Sequence, residues 1–207
     1  MKPIEIGRLM RASATGFVVG CSLSQLEAPS LGALVRVPLE PDYQIYGLIT
    51  DIRVEDDGLV RQLVTNTELS PEVIADNRLN RNMPVEISVI AVGYDRSGRV
   101  YHLLPPRPAL SLDSIYLCTP EEFIRFTGDN RFGYFRHILH AQDIPVAEVL
   151  AAHIQQGADI HSTAGEPGWL EAAAKELITL LRDDYPALMM VMSALADLEM
   201  VETGKTA

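Results

Sequence analysis

Within the first hundred residues, apolar side chains recur at alternate positions in short runs broken by turn-forming residues, the pattern of β-strands. Ile4 to Leu9 and Phe17 to Cys21 flank a turn at Ala14-Thr15-Gly16. In Gly32 to Val37, Leu34 and Arg36 share one face and Val35 and Val37 the other. The longest run, Tyr43 to Val54, sets Ile45, Gly47, Ile49 and Asp51 against Tyr46, Leu48, Thr50 and Ile52. Asp56-Asp57-Gly58 signals a turn. Ser70-Pro71-Glu72 opens a brief helix, with Ser70 as N-cap and Pro71 at the first helical position. Val85 to Tyr94, a hairpin turn at Asp95-Arg96-Ser97-Gly98, and Val100 to Leu104 complete the set. About six short strands with one small helix predict a closed barrel, which removes the sheet edges that otherwise pair with other chains.

Pro105-Pro106-Arg107-Pro108 is expected to end the β section as a semi-rigid strap, because proline cannot donate to a ladder. After it the period changes. Thr119-Pro120-Glu121-Glu122 carries a capping box, and its helix runs to about Phe126 and stops at Gly128. Asp143-Ile144-Pro145 starts a second helix that places Val146, Val149, Leu150, His153 and Ile154 on one face and is expected to stop at Gly157. His161 to Gly168 reads as a polar loop, Trp169 to Asp184 as a strong helix, and Pro186 opens a last one to about Met200. The expected fold class is α+β: a closed six-stranded barrel over residues 1–108, a connector over 109–142, and a small helical bundle over 143–207.

Charge sharpens that division. The chain carries a net charge of −11. Residues 1–144 hold 14 basic and 18 acidic side chains, and residues 145–207 hold 3 and 10. Such a surplus of acid opposes broad binding to phosphate backbones and favours solubility and a basic or polar protein partner. Cys21 and Cys118 stand singly among apolar residues, as buried small hydrophobes do. The first residues have no apolar signal core and no run approaches the roughly 18 apolar residues of a membrane span, so a cytoplasmic protein without membrane contact is expected.

Catalytic signatures are few. The chain has neither a phosphate-binding Gly-x-x-x-x-Gly-Lys-[Ser/Thr] loop nor a Gly-x-Gly-x-x-Gly turn. Gly128 and Gly133 are five apart, but no Lys-Ser/Thr pair follows them. His137 and His140 lie three apart with Asp143 nearby, and such pairs beside aromatics are usually part-buried helix residues rather than metal ligands. Cys118 with a histidine would still lack an orienting group and an oxyanion element. Asp183 and Asp184, adjacent on a helix, diverge by about 100°. Asp56 and Asp57 belong to a solvated turn. No catalytic, cofactor-binding or metal-binding residue is therefore assigned.

The stretch from Arg125 to His137 is the densest in chemistry. It combines Arg125, Arg131 and Arg136 with Phe126, Phe132, Tyr134 and Phe135 and ends on His137. Arginine with aromatics serves single-stranded nucleic acid, protein hot spots, or an ordinary seam between two structural units. Arg125, Arg131, Phe132, Tyr134, Phe135, Arg136 and His137 are thus the candidate contact residues for a partner.

Ile6-Gly7-Arg8-Leu9, Gly16-Phe17-Val18-Val19, Leu31 to Val37 and Tyr46 to Ile52 resemble a HAS barrel, the barrel of HerA-type DNA-translocating ATPases and of F-type ATP synthase subunits. Pro105 to Pro108, Ser114-Ile115-Tyr116 and Pro120 to Phe123 resemble the strap that leads from such barrels into the motor. The likeness covers roughly residues 4–125. Where the family's motor would begin, this chain has helices. The resemblance implies a non-catalytic assembly or docking module that meets protein partners, among them a ring ATPase or a nuclease, and that associates with copies of itself. A nucleic-acid binder using the barrel surface or the Arg125–His137 stretch is the alternative.

Overall fold

A computed structural model describes residues 3–22, 29–54, 84–128 and 132–203. The turn at Asp56-Asp57-Gly58, the helix opening at Ser70-Pro71-Glu72, and Arg131 lie outside the described residues.

The alternating runs form antiparallel strands: β1 (Glu5–Ala12), β2 (Gly16–Ser22), β3 (Leu34–Glu40), β4 (Tyr43–Val54), β5 (Pro84–Arg96), β6 (Arg99–Tyr101) and β7 (Ser114–Leu117). Their order is β2-β1-β7-β3-β4-β5-β6, and β2 also pairs with β5 in unbroken register from Gly16↔Ile90 to Ser22↔Pro84. That last pairing closes six strands into a barrel and leaves β6 appended to β5. Register shifts in β1 and β4 supply the local bends that closure needs.

The β section does not end at the prolines. They carry the chain across the barrel surface, and β7 follows, seating Ile115 opposite Gly7 of β1 and Tyr116 opposite Arg36 of β3. Ile115 is fully buried in the barrel core. The segment Ser114-Ile115-Tyr116, expected in a strap, is a wall of the barrel instead.

Alternation sorts the side chains into two cores. Ile6, Leu9, Val19, Val35, Val37, Ile45, Ile49 and Ile87 fill the barrel. Leu34, Tyr46, Leu48 and Val92, on the outer face of the same strands, join the helices in a second core. β4 is therefore buried on both faces along most of its length. This explains why its outward positions are apolar rather than polar.

The helices are α1 (Pro120–Thr127), α2 (Phe135–Leu139), α3 (Val146–Thr163), α4 (Trp169–Leu180) and α5 (Tyr185–Thr203). Thr119 caps α1 as its sequence predicts: its hydroxyl accepts from the Glu122 amide at 3.3 Å, and its own amide donates to the Glu122 carboxylate at 3.0 Å. An Arg36–Glu122 ion pair at 2.7 Å then ties β3 to α1. Two expectations fail in α3. The helix passes through Gly157 and runs to Thr163, and His161 is one of its buried residues rather than part of a loop. Gly157 is the flat place on which the Trp169 indole rests, so the missing side chain serves packing and not termination. No helix among the described residues is long and apolar enough to cross a membrane.

Candidate functional site

The Arg125–His137 stretch begins on the last turn of α1 and leads through α2. Phe132, Tyr134 and Phe135 are buried, so the rings expected to meet a partner face the second core instead. They form one aromatic cluster: Phe126 lies 4.5 Å from Tyr46 and 5.2 Å from Tyr134, and Tyr134 meets Phe135 edge-on at 4.8 Å. Phe132 continues it to Trp169 at 5.6 Å. The cluster is the seam between barrel and helices.

His153, buried in this seam, is engaged at both ring nitrogens. His153 of α3 contacts the Gly32 carbonyl through Nδ1 at 3.0 Å and the Tyr134 hydroxyl through Nε2 at 2.9 Å. A carbonyl can only accept, so Nδ1 carries the proton and Tyr134 donates to Nε2. The ring is neutral in this arrangement, and burial pushes its pKa down to about 4. Burial likewise holds the Tyr134 phenol well above its ordinary value. Gly32 has φ of 75°, and a side chain there would run into the α3 backbone at His153.

Thr127, His161 and Glu166 line up like a hydroxyl, base and acid. Thr127 Oγ1 lies 2.7 Å from His161 Nε2, and His161 Nδ1 lies 2.8 Å from Glu166 Oε2. Yet Thr127 and His161 are completely buried, the Trp169 indole stacks on the imidazole at 4.8 Å and 8°, and the Thr127 hydroxyl also reaches the Phe123 carbonyl at 2.9 Å. A substrate has no approach to that hydroxyl. The trio bolts α1 to α3 and to the turn that leads into α4. Sequence gave no sign of it, since the three residues are joined only by the fold.

Among the cationic candidates, Arg125 donates through Nη2 to the Tyr46 hydroxyl at 3.0 Å and to Asp95 Oδ2 at 3.1 Å. Burial raises the Tyr46 phenol to about 12, against the lowering effect of the Arg125 bond. Arg136 is exposed and donates to the His102 carbonyl, which also accepts from His137 Nε2 at 3.2 Å. Burial lowers the His137 pKa. Arg136, His137 and His140 border an open cleft of about 700 Å³ with Thr15 and Leu104. Cys118 is a partly buried thiol, raised well above its ordinary pKa first by desolvation, the reverse of an activated nucleophile. No cluster of metal-ligating side chains occurs among the described residues.

One surface feature escaped the sequence reading. Leu110-Ser111-Leu112-Asp113, between the proline strap and β7, is a tight turn that holds Leu110 at 71% exposure and Leu112 at 72%. Leu112 has φ of 73°, where such a turn ordinarily takes glycine. The turn is pinned on every side. Leu110 N donates to Asp113 Oδ2 at 2.8 Å, Leu112 N to Leu9 O at 2.8 Å, Ser111 Oγ to Met10 O at 3.2 Å, and Arg8 Nη1 to Leu112 O at 3.1 Å. Two leucines flanking a serine straight after a Pro-rich strap were the available signal.

No protein-family model matches the chain, and none of the curated proteins matches it either.

Proposed function

We propose that this chain is a non-catalytic docking module whose barrel presents a preformed apolar contact to a protein partner. The observation that supports the reading best is the Leu110–Leu112 turn. A bulky residue at positive φ costs roughly 1–2 kcal/mol. Here that conformation is held by backbone and side-chain hydrogen bonds from β1 while both leucines point into solvent. Exposed apolar side chains on a fixed backbone suit a protein interface, because little backbone freedom is lost when they are covered. The solid barrel interior fits the same role, since it is filled by its own side chains.

The partner class comes from the strand motifs that resemble a HAS barrel, and is a ring ATPase of the HerA type. Affinity co-purification with nuclease treatment, read by mass spectrometry, tests it. A ring ATPase retained by the native chain and lost from a folded Leu110→Glu/Leu112→Glu variant is the expected result. Retention of no ATPase, or equal retention by the variant, overturns the reading.

A further inference from the structure

Among the described residues, β6 is hydrogen-bonded on one side only. Ser97 and Gly98, with φ of 52° and 78°, make the two-residue turn that joins it to β5. In such a hairpin Arg96 and Arg99, which flank the turn, are the hydrogen-bonded pair, and the next pair, Asp95 and Val100, is not. The N–H and C=O of Val100 consequently point away from β5. His102, two residues on, points the same way, and its carbonyl is already met by Arg136 and His137. Val100 has no such partner among the described residues. A cleft of about 290 Å³ runs along this edge, with Gly133 and Arg136 forming its far wall and Leu103 half exposed within it.

The charge of this cleft is unusual for so acidic a chain. Most described cations lie beside a carboxylate, as Arg36, Arg53, Arg107 and Arg125 do. Arg99 and Arg136 line the cleft with no carboxylate partner among the described residues, and no described Asp or Glu lines it. Arg99 is held over the Tyr101 ring at 5.2 Å.

From the open edge and its charge we infer that β6 accepts an extended acidic segment of a protein partner as an added strand. Val100 supplies one donor and one acceptor to its backbone, Arg99 and Arg136 pair with its carboxylates, and Leu103 covers an apolar side chain between them. Nucleic acid fits less well: Tyr101 is stacked on Tyr94 at 4.9 Å and covered by Arg99, and the rings of the neighbouring stretch are buried. The inference rests on reading the chain as a docking module but uses elements separate from the Leu110–Leu112 turn.

Fluorescence anisotropy with a labelled eight-residue peptide of alternating Glu and Val, combined with amide hydrogen exchange of the whole chain, tests the site. Salt-sensitive binding with slowed exchange at Val100 is expected. Arg99→Glu/Arg136→Glu should weaken it at least about tenfold through loss of both charge pairs. Val100→Pro should weaken it similarly while leaving the barrel folded, because that N–H lies outside the β5 ladder. The Leu110→Glu/Leu112→Glu variant should bind the peptide as the native chain does, which separates this site from the partner contact proposed above. Absence of binding, an unchanged affinity in Val100→Pro, or tighter binding of a single-stranded oligonucleotide of equal charge would each overturn the proposal.

Discussion

The indole of Trp169 lies against Gly157 of the preceding helix, in the space that any side chain at 157 would fill. From that position its Nε1 donates to the Thr127 carbonyl at 3.2 Å and its face covers His161. One ring thus joins the end of α1, the middle of α3 and the start of α4. Gly157→Ala should destabilise the protein by about 1–3 kcal/mol through overpacking, outweighing the roughly 1 kcal/mol by which alanine favours an isolated helix. Urea denaturation checks this, and a more stable variant would show that the ring does not need the gap.

His153 makes stability depend on pH in a stated direction. Its folded value of about 4 lies below the ordinary 6.5, so the unfolded chain binds the extra proton first as pH falls. The stability it confers is complete above pH 6.5 and drains away toward pH 4, by up to about 3 kcal/mol. His137 shifts the same way. In His153→Gln the protein should be less stable at pH 7, and the gap to the native chain should narrow as pH drops. Denaturation midpoints at pH 7, 5.5 and 4.5 give the answer. A constant gap would mean that His153 is not held neutral.

Removing the hydroxyl of Thr127 isolates a buried imidazole nitrogen. Thr127→Val keeps the shape but deletes the contacts to His161 and Phe123, and should cost about 1–3 kcal/mol. Thr127→Ser should recover most of it. Equal stability of valine and threonine at this position, by thermal or urea unfolding, would show the trio to be dispensable.

Arg125 was a contact candidate, and its bonds define a structural duty that can be measured. Asp95 is buried in the barrel wall and Arg125 is its ion-pair partner. Arg125→Ala leaves that carboxylate without a counter-charge and should cost about 3 kcal/mol, less whatever water recovers at the half-exposed guanidinium site. Asp95→Asn in the same background should restore part of the loss, and a double-mutant cycle reads the coupling.

Leu112→Gly separates stability from docking. Glycine accepts the positive φ without strain, so folding should be unchanged within about 1 kcal/mol, the relief being offset by the freedom glycine has when unfolded. Binding of the partner should fall with the lost side chain. A variant that both folds and binds as the native chain does would remove the turn from the interface.

The strands of the barrel were legible because one face of each packs inward, and a period of two records that directly. The helix starts at Thr119 and before Val146 were legible for an equally local reason, a cap or a proline beside an apolar stripe. β7 was not: four residues beyond three prolines carry too little pattern, and their place is set by two strands far away in sequence. The aromatic and arginine content of 125–137 marked an important stretch without saying which way its rings face.

The order of apolar and polar residues by itself determined a barrel followed by helices, since burial of one face per element is a local property of the chain. Only the tertiary structure decided that Gly157 is a seat for Trp169 rather than a helix end, that Phe132, Tyr134 and Phe135 are core, and that Thr127, His161 and Glu166 meet. It also decided which apolar residues, Leu110 and Leu112, are left in water. Each of these depends on what a distant segment brings to the same place, and spacing along the chain carries no record of that.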